Sequence, residues 1–392
     1  MIRKLLVIRF SALGDVAMTV PVVRALAEAN PDTHITILTR QRMQPLFEWM
    51  PANVAVEGID LGNYSGVAGL ERLYRRLHHK HYDAVADLHD VLRSKYLRTR
   101  FRMSGAKIAV IDKGRKDKKA LIGHGLTHSP LTHTITRYQH VFTSLGMSCP
   151  MPTSATDASP ASLSASSHVG VAPSPVSLST YSPVGIAPSP ASLSTSSPVG
   201  IAPSPVGVSA ARFGLAVPPA SPAPSTSAPL IGVAPFAAHK GKIYPLPLMH
   251  QVVDQLADAG NHVLLFGAKG KETETLKTWE RRGVELVADK CHSLKEELEL
   301  MSQLTLMISM DSSNMHMAAM MGTQTISIWG ATHPSAGFTA WQQTHDSIID
   351  LPMDCRPCSI YGNRPCTKGN YPCLAGIKPQ TIIDKARQYG AL

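Results

Sequence analysis

No stretch of this 392-residue chain approaches the roughly 20 consecutive apolar residues of a membrane-spanning helix. The first apolar run, Leu5–Ile8, is closed at once by Arg9, and Asp15 follows, so it does not make a secretory leader. The expectation is a cytoplasmic protein that at most touches a membrane peripherally, from its surface. Cysteine is scarce, with six residues, and in a reducing compartment these read as thiols or metal ligands before disulfides. Aromatics make up only 6% and do not interleave with the basic residues, which leaves stacking on single-stranded nucleic acid unsupported. No nucleic-acid recognition motif is present either. There is no D-x-D pair and no H-E-x-x-H, so neither a metal-bridged diphosphate nor a zinc hydrolase has a ligand set in the sequence. Acidic residues are in deficit, 28 against 38 Lys and Arg, for a formal net charge of +10. That excess points to an anionic partner: a nucleotide, a phosphorylated glycolipid, a membrane surface or a nucleic acid.

What is present suffices for two cores, since 44% of residues are hydrophobic. In the first half, Leu5–Ile8 reads as a short buried strand and Phe10–Asp15 as a loop. Val16–Ala29 carries helical spacing, and His34–Leu38 reads as the next strand. This is a βαβ unit and implies a parallel sheet. Ala84–Leu88 and Ile108–Ile111 are strand-like, and Arg137–Leu145 is a helix stopped by Gly146. From about Cys149 to Pro229, Ser, Pro and Ala dominate, with a near-exact repeat over Ser162–Val176, Ser177–Ala191 and Ser192–Val206. Each unit is too Pro-rich and too short to bury an apolar face, so a disordered linker is expected. Alternation then resumes, with strands at Leu230–Phe236, His262–Phe266, Val284–Ala288, Leu306–Met310 and Thr325–Trp329. Helices are expected at Pro245–Ala259, Lys271–Arg282, Leu294–Leu304, Asn314–Met321 and Lys378–Tyr389. The predicted organisation is an α/β protein of two doubly wound domains, residues 1–148 and 230–392, joined by residues 149–229, with ligands beyond the C-terminal ends of the strands.

Several strand-to-helix loops carry candidate chemistry. In Ser11-Ala12-Leu13-Gly14-Asp15, Gly14 permits a tight turn and Asp15 sits at a helix start, where a carboxylate either caps the helix or takes a proton from an attacking hydroxyl. Lys242, before Pro245 and the next helix, suits a phosphate oxygen or is a solvated lysine. Asp311-Ser312-Ser313-Asn314-Met315-His316 opens a helix with small hydroxyl residues and free N–H groups: an anion cradle, or plain capping with His316 on the helix face. Gly267-Ala268-Lys269-Gly270-Lys271-Glu272 lacks the Ser/Thr of a P-loop; its glycines permit close approach of a nucleotide, and Glu272 or Glu274 suits a ribose. Arg93–Lys119 holds eleven Lys and Arg against Asp112 and Asp117, which suits lipid headgroups or an anionic acceptor, or is a solvated face. Cys355, Cys358, Cys366 and Cys373 open with a zinc-like C-x2-C but lack a close-spaced second pair, so free thiols or a conditional disulfide are the expectation.

Four of these stretches resemble glycosyltransferase family 9, the heptosyltransferases of lipopolysaccharide core assembly. They are Ile8–Val16, Lys242–Pro245, Asp311–His316 and Ile328–Pro334, supported by His133–Gly146 and the segment Cys355–Cys373. The resemblance implies a GT-B fold, two Rossmann-like domains facing across a cleft, and an inverting, metal-independent transfer from an ADP-sugar with no cofactor. It implies Asp15 as general base and Lys242 on the donor diphosphate. Asp311 would hold heptose hydroxyls, and Ser312 and Ser313 the phosphates, with His316 nearby and Gly267 and Glu272 lining the nucleotide. Ser11, Gly14, Arg93, Lys95 and Arg98 would face an anionic glycolipid acceptor at the inner membrane surface. Ser313 stands where the family commonly has Gly, and the Ser/Pro insert is no family feature. A relative using another nucleotide sugar, or one that binds without turnover, stays open at this point.

Overall fold

The computed structural model describes residues 1–122, 129–151 and 228–392. The repeats at 162–206, and all of the expected linker except its two ends, lie outside the described residues. The first half builds a five-stranded sheet from β1 (Lys4–Ile8), β2 (His34–Arg40), β3 (Val54–Ile59), β4 (Ala84–Asp87) and β5 (Lys107–Val110). All pairs are parallel, in the order β3-β2-β1-β4-β5. The second half builds a six-stranded parallel sheet from β6 (Leu230–Ala234), β7 (His262–Leu265), β8 (Val284–Leu286), β9 (Leu306–Met310), β10 (Thr325–Ile328) and β11 (Ile348–Ile349), in the order β11-β10-β9-β6-β7-β8. Both orders reverse direction once, between β1 and β4 and between β9 and β6. In open α/β sheets such a reversal opens a crevice for ligand at the strands' C-terminal ends.

Strand β1 shows why the sheet is sandwiched between helices. Its side chains alternate across the pleat: Leu5 and Val7 pack into one apolar cluster, Leu6 and Ile8 into another on the opposite face. All four are fully buried, each worth about 1.5–3 kcal/mol of transfer free energy. The expected helix over Val16–Ala29 is instead two, α1 (Leu13–Ala17) and α2 (Thr19–Ala29). Pro21 is the reason. It has no N–H for the carbonyl four residues back and its ring would strike that carbonyl, so the chain restarts with Pro21 in the first turn of α2. Helices α3 (Gly66–His78), α4 (Leu92–Met103), α5 (Arg115–Leu121) and α6 (Thr134–Thr143) complete the first half. The packed chain continues past the expected boundary at residue 148: Cys149 is buried in the core, and its carbonyl accepts from Gln139 Nε2 at 2.7 Å.

In the second half α7 (Leu246–Asp258), α8 (Lys271–Lys277), α9 (Leu294–Met301), α10 (Ser313–Met320), α11 (Pro372–Ala375) and α12 (Pro379–Gln388) flank the sheet. One apolar cluster is continuous across the halves, running from Leu5, Val22 and Phe142 to Met301, Met307 and Met317. The halves meet where the Thr134 N–H donates to the Gly337 carbonyl at 2.7 Å, and also where α1 packs on α10. A Cβ on Gly14 would lie 2.8 Å from His316 Cδ2 and 3.3 Å from Ser313 Cα. Only a residue without a side chain lets these helix starts meet. Among the described residues no helix is long and apolar enough to cross a membrane.

Candidate active site

The loops after β1, β6, β7 and β9 enclose a cavity of about 560 Å³ between the two sheets. Gly14 and Asp15 line it from the first half, and Lys242, Gly267, Glu272, Asp311, Ser312, Ser313 and His316 from the second. Expected donor-side and base positions, far apart in sequence, are thus brought to one space.

Asp15 is the third residue of α1 rather than its cap, which is Ala12. Its Oδ2 accepts from the Ala12 N–H at 3.2 Å and from Arg9 Nη2 at 2.6 Å. Its side chain is 39% exposed, so the carboxylate is open to the cavity while one oxygen is held. Arg9 itself is buried, donates to the Leu88 carbonyl, and lies 5.7 Å over the Tyr138 ring. Burial works against its charge, but Tyr138 and Asp15 hold it above the ordinary arginine value. Ser11 does not line the cavity wall but stands beside it, 3.2 Å from His89 Nε2. The Phe10 N–H points at His89 Nδ1, which assigns the ring proton to Nε2, facing Ser11 Oγ. Burial, with Arg9 next, pushes His89 down to about 3.

On the donor side Lys242 Nζ pairs with Asp311 Oδ2 at 2.8 Å, and Thr332 Oγ1 donates to the same oxygen at 2.8 Å. Asp311 is therefore a buried anion held by two partners. Ser312 is the N-cap of α10 and Ser313 its first residue, so their N–H groups belong to the unpaired start of the helix. His316 is buried on α10 against Gly14, and its Nδ1 has no hydrogen-bond partner. Burial pushes it down to about 4 in spite of Asp311 and Asp15, so it is neutral near pH 7. Glu272 Oε2 accepts the Ala268 N–H at 2.8 Å and so ties down the glycine loop. Gly267 packs closely on α8, where a Cβ would lie 2.7 Å from Leu276 Cδ1.

Arg93, Lys95 and Arg98 are not brought to the cavity. They lie on the first two turns of α4, where Arg98 Nη1 is engaged by buried Asp87 at 2.7 Å and by Asp90 at 3.0 Å. Lys95 reaches Asp90 at 3.7 Å, and Arg93 is exposed. The cations of the basic stretch that sense Asp15 are Lys113 and Lys118. Lys118 Nζ lies 5.3 Å over the Phe338 ring, which faces Lys242 Nζ at 6.0 Å. Burial, then Arg137, lowers Lys118 to about 8. Phe338 and Tyr361 also line the cavity, and neither carried a motif signal. All six cysteines are free thiols, and Cys358, raised to about 11 by burial and then by Cys355, senses Cys373 and Cys366 as well. Among the described residues no three His, Cys, Asp or Glu form a group that could hold a metal ion.

A model of glycosyltransferase family 9 (heptosyltransferase) matches residues 70–366. The chain belongs to glycosyltransferase family 9. The match takes in Lys242, Asp311 and His316, while Asp15 precedes it. Lipooligosaccharide heptosyltransferase 2 of Campylobacter jejuni is 28% identical over 82 residues, which is 21% of this chain and 24% of that protein. The chain thus matches under a third of its curated relative. Solved structures align over nearly the whole chain. The E. coli heptosyltransferase WaaC with ADP is 17% identical over 99% of this chain and 100% of that one, with TM-score 0.61. The family 9 glycosyltransferase from Veillonella parvula is 18% identical over 99% and 97%, with TM-score 0.62. The E. coli ADP-heptose lipopolysaccharide heptosyltransferase II is 18% identical over 98% and 98%, with TM-score 0.59. These likenesses establish the GT-B fold, and family membership makes this chain a glycosyltransferase of heptosyltransferase type.

Proposed function

We propose that this family 9 glycosyltransferase moves heptose from ADP-heptose to an anionic acceptor of the lipopolysaccharide inner core, at the cytoplasmic face of the inner membrane, with inversion and without a metal ion. The supporting observation is that a carboxylate of one half, Asp15, and an ammonium of the other, Lys242, line one cavity. The acceptor hydroxyl gives its proton to Asp15 as its oxygen bonds to the anomeric carbon. The bond from that carbon to the β-phosphate oxygen breaks, and ADP leaves with the electron pair. Lys242 meets the charge that grows on the diphosphate, which requires it to turn from Asp311 toward the donor. The N–H groups of Ser312 and Ser313 and the start of α10 add to that cradle. Asp311, released from Lys242, faces sugar hydroxyls, and His316 offers its unpaired nitrogen nearby. Gly267 and Glu272 shape the nucleoside end. Ser11 and Gly14 border the acceptor, and Arg93, Lys95, Lys113 and Lys118 give the entry side its positive field, with Arg98 bracing α4. An ADP-sugar donor is favoured because the similar E. coli WaaC structure holds ADP.

The test is nucleotide release from ADP-heptose and from UDP- and GDP-sugars, with wild type and Asp15→Asn. Release with ADP-heptose and acceptor is expected, with Asp15→Asn slower by roughly 10²- to 10⁴-fold while ADP-sugar still binds. Unchanged turnover in Asp15→Asn would reduce Asp15 to a helix-start residue. Release only from another sugar nucleotide would replace the donor, and binding without release would make the chain a binding protein.

A further inference from the structure

The segment that follows β11 is nearly free of regular structure until α11, yet it carries the most heavily bonded buried cation of the second half. Arg356 is 1% exposed, and all of its nitrogens are used. Nε donates to the Gly330 carbonyl at 2.6 Å, and Nη2 to the carbonyls of Thr332 at 3.0 Å and Trp329 at 3.4 Å. Nη1 donates to Asp350 Oδ2 at 2.8 Å and to the Leu351 carbonyl. Three carbonyls of one short loop, 329–332, thus converge on a single guanidinium. Its planar fork with five N–H donors suits that task, and a lysine ammonium does not.

That loop is the link to the donor side. Thr332 Oγ1 donates to Asp311 Oδ2, the same oxygen that holds Lys242. The Ala331 N–H donates to the Gly241 carbonyl at 2.8 Å, one residue before Lys242. The Ala331 carbonyl in turn accepts the Cys358 N–H at 3.0 Å, so the segment grips the loop from both sides. Further along, Gly362 lies against the Lys242 stem, where a Cβ would meet Lys242 Cγ at 2.7 Å. The structure assigns to Arg356 the role of positioning residue for the Lys242–Asp311 pair: it fixes loop 329–332, which sets Thr332 on Asp311 and Gly241 under Lys242. Arg356 touches no reacting atom. Its effect on transfer runs through the orientation of the ammonium that meets the donor diphosphate, and so it rests on the donor-side role proposed above for Lys242.

Steady-state kinetics and ADP binding of Thr332→Val, Arg356→Lys and Lys242→Met, alongside thermal melts of the full chain, test this. Thr332→Val keeps the shape and the Arg356 bonds but leaves the Asp311 oxygen to Lys242 alone. A lost hydrogen bond to a charged group corresponds to a roughly 10- to 100-fold change. ADP-sugar KM or ADP Kd should rise by about that factor in Thr332→Val, with acceptor KM within about twofold. Arg356→Lys should move the same donor parameter and also lower the melting temperature. If both variants fold and leave donor KM and ADP Kd unchanged while Lys242→Met impairs them, the positioning role is wrong and Lys242 stands alone. If Lys242→Met itself leaves donor parameters untouched, the donor-side reading fails instead.

Discussion

Replacing Gly14 by Ala adds one methyl group where α1 of the first half packs tightly on α10 of the second. Two effects oppose each other. Gly14 lies in α1, where Ala is the better helix former by at most about 1 kcal/mol. Against this, the new carbon would sit 2.8 Å from His316 Cδ2 and 3.3 Å from Ser313 Cα. One obstacle is a buried ring and the other is backbone, so neither is the loose end of a flexible chain. Overpacking of this kind costs roughly 1–3 kcal/mol. The clash should win, with a net loss on the order of 1–2 kcal/mol and a melting temperature lower by roughly 2–6 °C. Activity should suffer more than stability, because α1 carries Asp15 and α10 opens at Ser313, so any separation widens the cavity at its reacting end. The assay is thermal denaturation plus turnover for Gly14→Ala, His316→Ala and the double variant. Removing the ring should rescue the packing, giving a coupling of at least about 1 kcal/mol. A melting temperature equal to or above wild type in Gly14→Ala, or strictly additive single effects, would refute the contact as a packing limit.

Lys242→Met should abolish most turnover and also destabilise, since Asp311 is 3% exposed and would keep only Thr332. Stranding a buried charge costs roughly 3–5 kcal/mol. Lys242→Met/Asp311→Asn should then recover the melting temperature without the activity, and recovery of both would contradict the proposed role. Acidification should unfold the protein early, because His89 and His316 are held near 3 and 4 in the folded state. The unfolded chain takes up both protons as pH falls through about 6.5, so stability drops by up to roughly 2.7 kcal/mol per pH unit between about 6 and 4. Denaturant titrations at several pH values read this slope, His316→Gln should roughly halve it, and a flat profile would count against both burials. Lys118 loses its charge as pH rises through about 8. Acceptor KM should climb above that pH in wild type and stay level in Lys118→Arg, and a climb of equal size in both would exclude Lys118 from acceptor binding.

Strands β6 to β10 were legible because each is a short apolar run bounded by turns, and β9 spans the expected residues Leu306–Met310. The loops bearing Asp15, Lys242 and Asp311 were legible because each pairs a strand end with a helix start carrying unusual residues. Strands β3 and β11 and helices α3, α4, α5 and α11 carry no comparable signal in the sequence. Strand β3 is only half buried at a sheet edge, and α4 is so rich in Arg and Lys that its apolar face, Leu97 and Phe101, barely shows in the sequence. The basic stretch was visible as charge but not as geometry: sequence does not show that Arg98 is spent on Asp87 while Lys118 turns toward Phe338. The Arg9–Asp15 and Lys242–Asp311 pairs were equally hidden, since the first closes over a loop and the second joins residues some seventy positions apart.

The apolar cluster shared by both sheets bears on how this chain can be taken apart. Met301, Met307 and Met317 in the second sheet's layer and Val22 and Phe142 in the first belong to one dry interior. A gene cut within the 152–227 stretch would hand each fragment a greasy wall with no water-compatible covering. Such fragments should be recovered as a reassembled pair rather than as two soluble pieces.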